Sequence, residues 1–390
     1  MRELRRTTWS RTRWFVAALV MAGLVVAQDA PDVSVDSFTS DFSVMQQLRD
    51  VAAQGSGAVA VLLPETTTSA RYVAFDEPFL RRAFQEAGLA DGDVIISNAQ
   101  GSESTQLTQA QAAITQGATV LVLDPISSGV GAAIEQYAAE QGVPVIDYDR
   151  LTLGGARDYY VSFDNVRVGE LIGEGLVQCI EEWGVESPTV LVMSGAPTDN
   201  NATLFAQGYN AVLEPRFADG TYANAGAPAG TWDPAQARTT FEGQFTANEA
   251  INAVVTPNDD NANAVISYLK TLNVPPRTFP TTGQDATLQG LQNVLSGYQC
   301  GTVYKPINLE AQAAAALALF LRAGMEPPAG LVNGATADTE AGTDVPSVLL
   351  DPIWVTPENM AETVVADGFV DPAELCAGFE AECDAAGIEY

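Results

Sequence analysis

Short apolar runs in this 390-residue chain are followed by side chains that carry charge or hydrogen-bond in two directions. Arg71-Tyr72 follows the run at 58–63, Asp149-Arg150 follows Val145-Ile146, and Asp199-Asn200-Asn201 follows the run at 190–193. Asn258-Asp259 follows Val254-Val255, Asp285 comes after Thr282-Gly283-Gln284, and Lys305 ends Thr302-Val303-Tyr304. Trp232 stands just before a helix start at Asp233-Pro234. Three cations, Arg71, Arg150 and Lys305, nearly cancel three carboxylates, Asp149, Asp199 and Asp285, so a pocket built from them suits a neutral ligand better than an anion. Each sugar hydroxyl both donates and accepts, which calls for acceptor-only Asp, donor-only Arg and Lys and two-way Asn in one place. The rings of Tyr72 and Trp232 would cover the apolar C–H surface of a pyranose. That inventory describes a monosaccharide site.

Other chemistries lack their residues. The chain has no histidine, which excludes Ser-His-Asp and Cys-His triads and His-ligated zinc. The acidic run from Asn258 fails as a calcium loop, because with Asp259 first the glycine and glutamate positions hold Ala264 and Lys270. Neither G-x-G-x-x-G at the first strand-to-helix turn nor a P-loop occurs, so no dinucleotide, ATP or other cofactor is expected, and no metal. A net charge of −31 argues against nucleic acid, whose phosphates are bound by neutralising Lys and Arg.

The first 27 residues combine five arginines with an apolar run from Trp14 to Ala27, too short for an ordinary membrane span, and predict a secretory signal cleaved after Ala27. The exported chain then carries 13 bases against 48 acids, a net −35, which favours solubility at high ionic strength. An oxidising compartment lets Cys179, Cys300, Cys376 and Cys383 pair. Three pairings are possible; we favour Cys179 with Cys300 and Cys376 with Cys383, against buried free thiols. Their spacing matches no zinc pattern.

The elements that must position the polar groups follow from periodicity. Strands are expected at 58–63, 94–97, 120–123, 143–148 and 159–163, alternating with helices at 72–87, 103–116 and up to about 141. The pattern then restarts: helix 166–183, strand 189–193, helices 200–213 and 234–246, strand 251–256, helix 261–272, strand 279–282, helix 288–295 and strand 301–305. Unbroken Val, Ile and Leu runs suit strands covered on both faces, and the alternation implies parallel sheets. We therefore expect an α/β protein of two doubly wound parallel-sheet lobes sharing a cleft. Ligands bind at the carboxyl ends of such strands, where the polar groups above would converge.

The stretches S-A-R-Y (69–72), V-I-D-Y-D-R (145–150), Y-Y-V-S-F-D-N-V-R-V-G-E (159–170) and S-G-A-P-T-D-N-N-A-T-L-F (194–205) make the chain resemble a known family. P-N-D (257–259), G-Q-D-A (283–286), T-V-Y-K-P-I (302–307) and V-P-S-V-L-L (345–350) continue the match in order. The family is that of periplasmic sugar-binding proteins of ABC importers, with the type I fold, and the similarity is greatest to its D-xylose-binding and multiple-monosaccharide-binding branches. The resemblance implies ligand contacts from Arg71, Asp149, Arg150, Asp199, Asn201, Asn258, Asp285 and Lys305, with the ring between Tyr72 and Trp232. Xylose-binding relatives carry Trp where this chain has Tyr72, so the stacking platform is narrower. D-xylose or a related aldose is the expected ligand.

The resemblance further implies a three-segment hinge, with an N-terminal lobe at 57–160 plus 305–344 and a C-terminal lobe at 161–304 plus 345–356; the C-terminal tail at 357–390 extends past the resemblance and reads as a docking helix or tail. It implies a periplasmic or extracellular monomer that hands its ligand to a membrane permease with ATPase subunits and performs no catalysis. Two other readings compete. In one, a sugar sensor presents its ligand to a membrane receptor. In the other, an enzyme uses Asp149 and Asp199 as acid and base. Several assignments also have plainer alternatives: Asp199 and its neighbours as a helix cap, Trp232 as a core residue, Arg150 as an ordinary ion-pair partner.

Overall fold

The structure is a computed structural model that describes residues 31–66, 69 and 71–390. The expected export signal, residues 1–27, lies outside the described residues. Helix α1 (Arg49–Gln54) leads into β1 (Ala58–Leu63), and a π-helical turn at Tyr72–Asp76 continues into α2 (Glu77–Glu86). Then come β2 (Val94–Asn98), α3 (Glu103–Thr115), β3 (Ala118–Leu123), α4 (Ser128–Glu140), β4 (Val145–Tyr148) and β5 (Tyr159–Phe163). The second series runs α5 (Asn165–Glu182), β6 (Thr189–Val192), α6 (Asn200–Ala218), β7 (Ala223–Asn224), α7 (Pro234–Ala247), β8 (Ala253–Val255), α8 (Asp259–Thr271), α9 (Leu288–Leu295) and β9 (Thr302–Tyr304). Helix α10 (Ile307–Arg322), β10 (Gly334–Asp338), β11 (Thr343–Leu350), β12 (Ile353–Val355), α11 (Pro372–Cys376) and α12 (Glu380–Ala385) complete the chain.

The first sheet has seven strands in the order β10-β11-β5-β4-β3-β1-β2, parallel except for the β10–β11 pair. β1 is buried along its whole length, which is why it reads as unbroken Ala, Val and Leu. Against the sheet lies α10, whose residues Ile307 to Phe320 are nearly all buried; its alanine-rich, all-round apolar sequence is what a helix sunk in a core requires. The second sheet, β7-β6-β8, is smaller and is continued through single bridges, Val254 to Thr281 and Gln284 to Val303, toward the β9–β12 pair. The strand expected at 279–282 is reduced to the bridge at Thr281, because Pro280 has no N–H to give a ladder.

The chain passes between the two sheet systems three times: after β5 at Asp164, after β9 at Lys305-Pro306, and after β11 at Asp351-Pro352. The lobe borders expected at 160/161 and 345 therefore cut through strands. Residues 161–163 and 345–350 pair inside the first sheet, Ser347 to Leu350 lying alongside Tyr160 to Phe163. Hydrophobic pattern gives the strand but not the sheet it joins, since pairing partners are remote in sequence.

Close helix contact sets the direction of α6, whose first turn carries part of the site. Gly169 and Gly208 sit where α5 crosses α6; a Cβ on Gly169 would strike the Phe205 backbone, and one on Gly208 would strike the Val166 carbonyl. Both favoured disulfides are formed: Cys179–Cys300 ties α5 to the approach to β9, and Cys376–Cys383 closes the turn between α11 and α12. Residues 357–390 dock on the second half. Met360, Val364, Phe369, Leu375 and Cys383 form a core cluster with Leu291, Val294 and Tyr304 of the second half.

Candidate functional site

All ten residues singled out from the sequence line one narrow cavity between the two halves.

Arg71 precedes the π-helical turn and is 2 % exposed. Its Nε and Nη2 donate to the two Asp76 carboxylate oxygens at 2.9 and 2.7 Å, Nη2 also donates to Glu310 Oε2 at 2.9 Å, and Nη1 donates to Asp149 Oδ1 at 2.7 Å. Four of its donor contacts are thus spent on protein, leaving one N–H on Nη1 for a ligand. Burial alone would lower its pKa, but Asp149, Asp76 and Glu310 together hold it well above the usual value. Sequence reasoning missed Asp76 and Glu310. The signal was there for Glu310, the one carboxylate on the alanine- and leucine-rich α10.

Asp149 follows β4 in the left-handed region, with φ 57°, a conformation uncommon outside glycine and typical of constrained sites. Its backbone carbonyl accepts from Tyr160 Oη and Ser162 Oγ at 2.8 Å and from Asn201 Nδ2 at 2.9 Å. Oδ2 accepts from Tyr72 Oη at 3.0 Å, and Lys305 Nζ stands 3.7 Å from Oδ1. Burial pushes the carboxyl up, yet Arg71, Lys305 and Arg150 outweigh it and hold the pKa at about 2. Two guanidinium groups, those of Arg71 and Arg150, lie 5.4 and 5.5 Å from the centre of the Tyr72 ring.

Across the cleft, Asp199 does two jobs. Oδ1 caps α6 by accepting from Asn201 N at 2.9 Å, while Oδ2 accepts from Trp232 Nε1 at 3.0 Å and pairs with Arg150 Nε at 3.1 Å. The capping role weighed at the sequence level and a place in the site coexist. Burial raises the Asp199 carboxyl, with Arg150 opposing. Asn201 spends its side chain inside the protein: Nδ2 donates to the Asp149 carbonyl, and Oδ1 accepts from Asn165 Nδ2 at 3.0 Å and Tyr160 Oη at 3.3 Å. It fastens one half to the other. Trp232 meets Phe205 edge-on, centroids 6.5 Å apart, and packs on Gly195, where any Cβ would collide with the indole.

Asn258 Oδ1 caps α8 by accepting from Asn261 N at 3.0 Å, which leaves its amide nitrogen for the cavity. Asp285, at φ 91°, pairs with Lys305 Nζ at 3.2 Å, and its Oδ1 has no hydrogen-bond donor from the protein. Behind Asp285 stands Asp259, whose Oδ1 accepts from Gln299 Nε2 at 2.8 Å and Thr302 Oγ1 at 2.9 Å, and whose Oδ2 accepts from Thr287 N at 2.8 Å. Burial pushes the Asp259 carboxyl up to about 7 against those donors.

Ser69, Phe205 and Gln284 also line the cavity and were not singled out, although each falls within a stretch that carried the resemblance. Three cations face three carboxylates, as the sequence inventory had it. Among the described residues no group of three or more His, Cys, Asp or Glu side chains is arranged to hold a metal ion.

Known proteins match this chain over most of its length. The periplasmic binding protein domain family matches residues 59–325. The D-xylose-binding periplasmic protein of Escherichia coli is 37% identical over 286 residues, which is 72% of this chain and 83% of that one. The multiple sugar-binding periplasmic protein SbpA of Azospirillum brasilense is 29% identical over 83% of this chain and 92% of its own. Among solved structures, a carbohydrate transporter solute binding protein from Chloroflexus aurantiacus in complex with D-glucose superposes with a TM-score of 0.73 at 27% identity, covering 81% of this chain and 97% of that one.

Proposed function

The chain belongs to the periplasmic binding protein family, and from that premise we propose that it captures one monosaccharide, D-xylose or a related aldose, in the interlobe cavity and hands it to the permease and ATPase of an ABC importer. It is a periplasmic binding protein and not an enzyme. The observation that carries the sugar reading is the balance of the cavity wall: three cations against three carboxylates, with Tyr72 and Trp232 as aromatic faces. An anionic ligand would meet the three carboxylates, and a purely apolar one would leave the remaining donors and acceptors of the wall without partners. Relatives named for D-xylose and for multiple sugars support the class. Residues 1–27 serve as the export signal in this reading.

Capture works by closure. Lobe one comprises residues 31–163 with 307–350, lobe two comprises 165–304 with 352–390, and the three crossings at Asp164, Lys305-Pro306 and Asp351-Pro352 form the hinge. The cleft is held shut by Asn201 on the Asp149 carbonyl and by Arg150 on Asp199. The groups with capacity left over, the free N–H of Arg71, the outer guanidinium of Arg150, the Asn258 amide and the Asp285 carboxylate, would take the sugar hydroxyls.

A thermal-shift panel of xylose, glucose, galactose, arabinose, fucose and ribose tests this, because a ligand bound only to the folded state raises apparent stability by mass action. At least one aldose should raise the melting temperature and bind by calorimetry at micromolar Kd or tighter, about −8 kcal/mol or more favourable. Asp285→Ala or Arg150→Ala should abolish most of that binding while the fold survives. No shift with any sugar, or unchanged affinity in both variants, would overturn the proposal.

A further inference from the structure

Asp124 follows β3, outside the cavity lining, and is fully buried. Neither carboxylate oxygen has a hydrogen-bond donor. The surroundings deny it one. The next residue, Pro125, has no N–H; the amide of Ile126 donates instead to Gln106 Oε1 at 3.0 Å; and Gln106 Nε2 holds the Asp124 carbonyl at 2.7 Å. The Asp124 amide donates to the Leu62 carbonyl at 3.0 Å, so the backbone is pinned in the sheet and the carboxylate cannot travel to a partner. An orphaned buried carboxylate is expensive, and its persistence asks for another state in which it is satisfied.

One cation is in reach. Arg150 Nε lies 3.7 Å from Asp124 Oδ1, beyond a hydrogen bond, and 3.1 Å from Asp199 Oδ2 on the opposite lobe. The guanidinium also donates from Nη1 to the Pro125 carbonyl at 3.3 Å, which keeps it beside Asp124 whichever carboxylate it serves. We propose that Asp124 is the open-form partner of Arg150: when the lobes part and Asp199 withdraws, the guanidinium closes the short gap onto Asp124, so this carboxylate opposes closure and sets the sugar affinity. The inference rests on the closure mechanism above. Burial raises the Asp124 carboxyl, with Arg150 and Arg71 opposing and Asp149 and Asp76 adding to the rise.

The test is Asp124→Asn, which keeps shape and removes charge. Small-angle scattering of the protein without sugar should show a smaller radius of gyration for the variant than for the wild type. D-xylose and D-glucose, used as probes, should bind about tenfold tighter, the scale of one charge-assisted hydrogen bond, and leave more slowly in stopped-flow experiments. A merely structural role for Asp124 would lower the melting temperature and move neither radius nor off-rate. Unchanged radius with unchanged or weaker binding overturns the inference. Asp124→Ser serves as the second neutral variant if the first does not fold, and failure of both also overturns it, because the carboxylate would then be holding the fold. Should neither sugar bind the wild type, the functional reading falls while scattering still decides the inference.

Discussion

Ten residues chosen for type and position meet around one cavity, yet they do not share the work equally. Arg71 spends most of its donors on Asp76, Asp149 and Glu310, so it is the post on which Asp149 is mounted more than a contact for ligand. Arg71→Ala would leave those buried carboxylates without their counter-ion and should cost about 3–5 kcal/mol of stability in denaturant titrations. Asp285→Ala should lower the unfolding midpoint less, because Lys305 keeps Asp149 at 3.7 Å as a counter-ion. If Arg71→Ala folded normally and lost only sugar affinity, the assignment of Arg71 as a mount would be wrong. Arg150 and Asp199 are the reverse case, an ion pair made across the cleft that the proposed closure would form and break.

At the scale of elements, helix starts supply much of the lobe-two wall: Asp199 caps α6, Asn258 caps α8, and Asp259 in the first turn of α8 braces the loop bearing Asp285. Asp259 makes this brace respond to pH. Its carboxyl titrates at about 7 in the folded protein and near the ordinary value of ~3.9 when unfolded, so the folded state binds one more proton between those limits. A raised carboxyl favours folding at low pH. This group's contribution therefore falls by up to about 1.4 kcal/mol per unit as pH rises from about 4 to about 7, then levels off. Melting temperatures taken between pH 5 and 8 should show that slope, and Asp259→Asn should flatten it; an equal slope in both proteins would remove Asp259 as its source. Periodicity made most strands and helices legible here, because core burial imposes 2.0 and 3.6 repeats locally. β10 escaped notice, since an edge strand with alternating exposure lacks the continuous apolar run of its neighbours.

Over the whole molecule, the final segment ties the two halves together beside the turn that carries Tyr72. Phe369 stacks on Phe75 of lobe one at 4.0 Å between ring centroids and meets Tyr304 of lobe two at 4.8 Å, while Tyr304 Oη donates to Asp367 Oδ2 at 3.0 Å. Phe75 belongs to the same π-helical turn as Tyr72, so the tail supports the turn that carries the site. Phe369→Ala should destabilise the protein by roughly 3 kcal/mol, and because the lost contact spans the lobes it should also change sugar affinity. A stability loss with affinity untouched would confine the tail to a local role.

The sequence by itself determined the α/β class, the strand and helix repeats, the charge balance of the site and the residue types gathered in it, because each is written in local pattern or composition. The borders between the two sheet systems, the seating of the final segment, and which polar groups of Arg71 and Asn201 are already spent on protein were decided only by tertiary structure. Whether a donor is free depends on which remote carboxylate or carbonyl has already taken it, and that pairing is fixed when distant strands come side by side.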